Sequence, residues 1–287
     1  MRLIAERILK LQHNFLIKMN DWSLKFWNQE PFTREPIADR GKYLDLAQGA
    51  AKNINSNVLH LEKRLGFEID SSWLNDLALF TQVVIKRNQL NYSHGRLLYS
   101  VLRDYIDKNP NANITIFETG TARGFSSLCM AKAIKDSQSF GKIVTFDILP
   151  HRKEIYWNVI TDHTKGKITR EKLLEKWIDL LDYVVFIQGY TRVELPKLCS
   201  SRINFAFLDG AHTYEDVMFE FNHVSCFQER GDVIVFDDYN LKLFPGIVKA
   251  VNEIKMSKIY SIDIIDSEND RAYVIATRLK KSINRLR

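Results

Sequence analysis

Cysteine is scarce in this sequence: there are three among 287 residues, Cys129, Cys199 and Cys226, far apart and odd in number. That spacing excludes a disulfide framework and a paired-cysteine metal site, and it makes a reducing compartment, the cytoplasm, the expectation. No uninterrupted apolar run approaches the roughly 18 to 20 residues of a membrane span. A dinucleotide fingerprint, Gly-x-Gly-x-x-Gly, is also missing. Where it would fall, the middle glycine is replaced by Ala122, which argues against a nicotinamide oxidoreductase.

The chain does have a modest excess of positive charge, +6, and a hydrophobic fraction of 45%, enough for a sizeable core. The charge favours anionic partners in general without naming one. Its length accommodates a doubly wound core with a decorating segment. Residues 1–105 read as helical, with amphipathic runs over 2–26, 43–65, 72–86 and 93–108. We take this region as a cap or oligomerisation unit, and residues 106–287 as the core. Ile4, Ile8, Leu11, Phe15 and Met19 fall at helical spacing among Arg2, Arg7, Lys10 and Lys18, which suits a packing or dimer helix; a membrane-surface helix or transit peptide is the alternative.

From residue 109 the rhythm changes to short β-rich runs separated by helices, which predicts a parallel sheet covered on both faces. Strands are expected at 114–118, 143–147, 183–187, 204–209, 232–237, 259–264 and 271–277. The last two lack a long helix between them, so they are read as an antiparallel edge hairpin turning through 267–270. The expected fold is therefore α/β: a Rossmann-like, doubly wound, seven-stranded, mostly parallel sheet with an antiparallel edge, plus the helical N-terminal region. In open α/β sheets ligands sit beyond the carboxyl ends of the strands.

Those ends carry the chemistry. The first strand runs through Phe117-Glu118-Thr119 into a turn, Gly120-Thr121-Ala122-Arg123-Gly124, and a helix opening on Phe125-Ser126. Two glycines let the backbone turn tightly, and the helix points its unpaired N–H groups back at the turn. Ser126 is placed to donate to a carboxylate or to cap that helix. The second strand ends on Asp147. The third ends on Gln188-Gly189, where Gln188 suits an adenine edge and Gly189 a flat base, unless both merely form a turn. The fourth and fifth end on Asp209-Gly210-Ala211-His212-Thr213-Tyr214 and Phe236-Asp237-Asp238-Tyr239. Carboxylates from Asp209, Asp237 and Asp238 converging above adjacent strands would repel one another unless a hard divalent cation joined them. Oxygen-only ligation favours Mg2+ or Ca2+, with Mn2+ possible, over Zn2+. Thr213 and Asp216 read as a capping box.

The pattern Glu-x-Gly-x-x-x-Gly followed by Asp147 resembles motif I of the class I S-adenosylmethionine-dependent methyltransferases. Together, 209–214 and 236–239 resemble the branch that includes macrocin O-methyltransferase and the cephalosporin-hydroxylase-like proteins and, more loosely, catechol O-methyltransferase. The resemblance covers about residues 90–277. It implies S-adenosylmethionine held by Glu118, Gly120, Thr121, Gly124, Ser126 and Asp147, with Gln188 and Gly189 beside the base. It further implies a divalent metal, Mg2+ first, on Asp209, Asp237 and Asp238, and a base at His212 acting with Asp209. The implied activity is O-methylation of a small-molecule hydroxyl, in a sugar or glycoside. The alternatives are an RNA methyltransferase and a non-catalytic scaffold that keeps the fold. The segment 151–170 is basic with interleaved aromatics, and it reads either as a lid over the acceptor or as a solvated insertion.

Overall fold

The computed structural model describes residues 32–280, apart from 34, 37, 87, 88, 199–201 and 267–271. The expected helix over 2–26, with its oligomerisation role, and the hairpin turn at 267–270 lie outside the described residues.

Seven strands form one sheet: β1 (Ile114–Thr119), β2 (Gly141–Asp147), β3 (Val184–Gln188), β4 (Phe205–Leu208), β5 (Val233–Tyr239), β6 (Tyr260–Ile265) and β7 (Ala272–Arg278). They follow the order β3-β2-β1-β4-β5-β7-β6. Pairing is parallel from β3 to β5, and β6 and β7 form the expected antiparallel edge hairpin, with β7 inserted antiparallel beside β5. Side chains alternate between faces along each strand. On β4, Phe205 and Phe207 enter one core while Ala206 and Leu208 enter the other; on β5, Val233 and Val235 part in the same way from Ile234 and Phe236. A strand apolar on both faces must be covered on both.

One face is covered by α1 (Arg40–Lys52), α2 (Ser56–Leu65), α3 (Ser71–Thr81), α4 (Ser93–Lys108) and α5 (Phe125–Asp136), whose buried residues share a cluster with the sheet. The expected run over 43–65 is two helices, because the Asn55 side chain accepts the N–H groups of Asn57 and Val58 and so starts a new one. α3 stops at Thr81 rather than 86. Its hydroxyl donates back to the Leu77 carbonyl at 2.7 Å, and the β-branched Val83, Val84 and Ile85 that follow disfavour helix. α4 lies close on α5: a Cβ at Gly95 would come within 2.6 Å of the Phe125 ring. The opposite face is covered by α6 (Tyr214–Cys226) and α7 (Pro245–Ser257). α6 opens on the expected capping box, the Thr213 hydroxyl accepting the Asp216 N–H at 3.2 Å.

The segment between β2 and β3 has a packed apolar interior, with Arg152, Lys153, Lys165 and Lys167 exposed on its surface. Trp157, Asn158 and Val159 are fully buried, and the Tyr43 hydroxyl donates to Asn158 Oδ1 at 2.7 Å. An antiparallel bridge joins Ile155 to Ile168, whose carbonyl also accepts the Trp157 indole N–H at 2.9 Å. The chain runs from β1 outward to β3 and returns to β4 on the other side of β1. This reversal opens a crevice above the carboxyl ends of β1 and β4.

Candidate active site

On one side of the crevice the first turn is tight because three residues take positive φ: Gly120 at 86°, Ala122 at 45° and Gly124 at 91°. Glycine is required at 120 on two counts, since a Cβ there would lie 2.1 Å from the Asp209 carbonyl oxygen. The absent side chain of Gly120 thus lets the β1 turn meet the end of β4, and that of Gly124 makes room for Leu174. Asp147 stands at the tip of β2. Its Oδ2 accepts the Ala122 N–H at 2.6 Å and its Oδ1 the Leu149 N–H at 2.7 Å. Burial raises its pKa, opposed chiefly by the Arg170 charge. Arg170 is itself buried, donates from Nε to the Ala122 carbonyl at 3.0 Å, and lies 5.4 Å and 5.6 Å from the ring centres of Trp157 and Phe186.

Glu118 is fully buried beneath the turn. Ser127 donates to Oε2 of its carboxylate, while Oε1 is buried without a partner; the neighbouring Ser126, Ser127 and Thr145 hydroxyls counter the upward pKa shift that burial imposes. Ser126 therefore serves Glu118, whereas α5 has Gly124 at its N-cap and no side-chain cap. Thr121 and Thr145 share a hydroxyl–hydroxyl bond of 2.5 Å. Gln188 is exposed at the end of β3, and the Gly189 N–H donates to the Asp147 carbonyl at 2.8 Å.

On the other side, Asp209, His212 and Asp238 are brought together, with one ligand atom from each lying within 4.8 Å of the other two. His212 Nε2 is 3.1 Å from Asp238 Oδ2 and 4.0 Å from Asp209 Oδ1, yet it makes no aligned hydrogen bond and is sealed from solvent. The ring stacks on Phe244 at 4.3 Å. Asp237, expected beside these groups, is buried at 1% exposure and lies outside that set of three; its Oδ1 accepts the Asp238 N–H at 2.6 Å. Asp238 has φ of 54°, at a register shift where β5 pairs with β7. A bulge of this kind re-aims a side chain at a strand end.

Below the Gly120–Asp209 contact lies Glu220 of α6, 2% exposed, accepting from the Thr119 hydroxyl at 2.9 Å. Burial pushes its pKa up to about 8. Glu220 was not singled out in the sequence, and Arg170 was read only as one of the basic residues of the 151–170 segment, not as a partner of the glycine turn. Glu220 was detectable: Val217, Phe221 and Val224 mark the inward stripe of α6, and Glu220 falls on it. Arg170 carries no such signal.

Residues 117–239 match the family described as Methyltransferase domain. A comparison with curated proteins finds no match. Among solved structures, cofactor-bound Rv0187 from MTB superposes with a TM-score of 0.53 at 16% identity, covering 74% of this chain and 92% of its own. The O-methyltransferase TomG from Streptomyces achromogenes, in complex with SAM and involved in tomaymycin synthesis, gives 0.52 at 16%, with the same coverage. The O-methyltransferase NovP gives 0.51 at 17%, covering 68% of this chain and 84% of its own. At such identities these likenesses show the fold, while the family match shows the domain. Residues 117–239 thus match a methyltransferase domain, in a chain with the fold of the methyltransferases on which it superposes.

Proposed function

We propose that this chain transfers the methyl group of S-adenosylmethionine to a hydroxyl oxygen of a small molecule, with a divalent cation assisting; a sugar or glycoside is the acceptor class the resemblance suggests. The observation that carries this reading is the junction at Gly120 and Asp209, where a cradle suited to the donor adjoins a carboxylate–imidazole group suited to the acceptor.

The donor half fits the cofactor by its chemistry. Asp147 spends one lone pair of each oxygen on a backbone N–H, and a carboxylate offers about four, so acceptor capacity remains for ribose hydroxyls. On the acceptor side, two carboxylates with a sealed imidazole nitrogen between them fit a divalent cation, which would rest on Asp209 and Asp238. When bound, such a cation lowers the pKa of an oxygen it holds by several units. The sulfonium methyl is already electrophilic, so the remaining work of the chain is alignment. Its residues hold the acceptor oxygen behind the carbon–sulfur bond; as the oxygen–methyl bond forms and the carbon–sulfur bond breaks, the hydroxyl proton passes to water and S-adenosylhomocysteine leaves.

The test is calorimetry with S-adenosylmethionine, followed by labelled methyl transfer to a panel of polyhydroxylated acceptors with and without chelator. Binding together with chelator-sensitive transfer is expected. If S-adenosylmethionine does not bind, the domain is a scaffold. If RNA is methylated instead, with affinity falling steeply as salt rises, the acceptor assignment fails.

A further inference from the structure

We infer that His212 Nε2 is itself a ligand of the cation, beside Asp209 and Asp238, with Asp237 bracing the backbone that carries Asp238, and that the site therefore selects a borderline ion such as Zn2+, Fe2+ or Co2+ over Mg2+. The inference rests on the proposed methyltransferase reading and fixes the chemistry of its metal.

Three observations converge. First, although the His212 side chain is 36% exposed, its Nε2 is turned inward: it lies 3.1 Å and 4.0 Å from oxygens of two different carboxylates, out of solvent and with no aligned hydrogen bond. A buried imidazole nitrogen left in that state is costly unless something else engages it. A base would have to turn its lone pair toward the acceptor, whereas here it faces the cation site.

Second, His212 is fixed in place. Its ring stacks on Phe244, and Gly246 lets the start of α7 press against its backbone, where a Cβ would lie 2.6 Å from the His212 carbonyl oxygen. Third, Asp237 is already used. Its Oδ1 holds the Asp238 N–H at 2.6 Å, in a stretch where Asp238 adopts positive φ. That local bond helps fix the backbone from which the Asp238 carboxylate projects.

One imidazole and two carboxylates form a mixed nitrogen–oxygen donor set. Mg2+ prefers oxygen and gives up its waters reluctantly, whereas imidazole suits the later first-row ions.

Mn2+ is the probe of choice for the purified chain, because its unpaired electrons report a directly bound imidazole nitrogen as modulation in pulsed EPR. The wild-type complex should show nitrogen modulation. His212→Gln should lose it and bind Mn2+ more weakly by at least the roughly 10- to 100-fold that loss of an outer-shell partner costs, and Asp237→Asn, whose amide oxygen still accepts the Asp238 N–H, should keep it. Zn2+ should displace Mn2+ at far lower concentration than Mg2+ does. Mn2+ bound without nitrogen modulation, modulation that survives in His212→Gln, equal displacement by Mg2+, or no Mn2+ binding would each overturn the inference. Should His212→Gln not fold, the wild-type spectrum and the Zn2+/Mg2+ competition decide alone. S-adenosylmethionine calorimetry on the same samples separates the two failures: lost cofactor binding sinks the methyltransferase reading, and intact binding with an all-oxygen Mn2+ site sinks only the ligand assignment.

Discussion

At the ends of β1 and β2 the chain engages its own acidic groups: Ser127 of the next helix bonds one oxygen of Glu118, and two backbone N–H groups bond Asp147, with Arg170 packed alongside. At the ends of β4 and β5 two carboxylates and an imidazole face one another across 3.1 to 4.0 Å, with the imidazole nitrogen unbonded and the backbone at Asp238 in positive φ. The first region is largely engaged within the chain, with acceptor capacity left on Asp147; the second, on the proposed reading, is completed by what binds. Preorganisation of that kind suits a cofactor common to many enzymes; an unsatisfied site suits the place where charge changes during reaction.

The sharpest way to break the comparison is at the joint between the halves. Gly120→Ala adds a Cβ that would lie 2.1 Å from the Asp209 carbonyl, at a φ of 86° that alanine resists. The strained φ alone costs about 1–3 kcal/mol and the clash adds to it, so a loss of about 3 kcal/mol or more, or roughly 6–12 °C in Tm, is expected. Both S-adenosylmethionine and cation affinity should fall together. A variant that melts within a degree or two of wild type, or loses one affinity and keeps the other, would show that the halves are not joined there.

The next test concerns the support beneath the joint. Glu220 has its pKa raised from 4.5 to about 8 by burial. A raised acid holds its proton in the folded state at pH values where the unfolded chain has released it. Its contribution is therefore intact below about pH 4.5 and is lost progressively as pH rises toward 8. At about 1.4 kcal/mol for each pH unit between the folded and unfolded values, the loss amounts to a few kcal/mol. Glu220→Gln can still accept from the Thr119 hydroxyl and has no proton to lose. Relative to wild type, its Tm should rise steadily between those pH values; two parallel Tm–pH curves would show that Glu220 does not titrate there.

Much of the fold was legible in the sequence because period-two alternation of Ile, Val and Phe and the strand-to-helix rhythm are local signals. Those signals placed the seven strands within about two residues and gave the antiparallel edge. The positions of Asp147, Asp209 and Asp238 followed, since a strand end is defined by where its pattern stops. Which way each carboxylate turns was not legible. Asp237 and Asp238 are adjacent and chemically equal, and only the bulge at β5, a matter of pairing with β7, sends one inward to a backbone N–H and the other toward His212. Arg170 was read only as part of the basic 151–170 segment, and its role was hidden for a similar reason. It reaches the glycine turn from 48 positions away through a segment with no periodicity, and only the packing of Trp157 and Phe186 beside it reveals its place.

The smallest effect is also the most discriminating, because it reverses the substitution made at 120. Asp238→Gly removes a carboxylate and relieves both a positive φ and its repulsion with Asp209. Against this, glycine enlarges the unfolded ensemble by about 0.4–1 kcal/mol. The expected net in metal-free protein is unchanged stability or a gain of about 0.5 kcal/mol, with cation binding greatly weakened and S-adenosylmethionine binding kept. Thermal melts in chelator paired with Mn2+ titration measure both. A clear loss of stability would mean that the Asp238 side chain holds the fold as Glu118 does, so that the two halves of the crevice are equally finished. A stable variant that cannot hold the cation shows that Asp238 is maintained in its unfavourable backbone conformation for the ligand it faces.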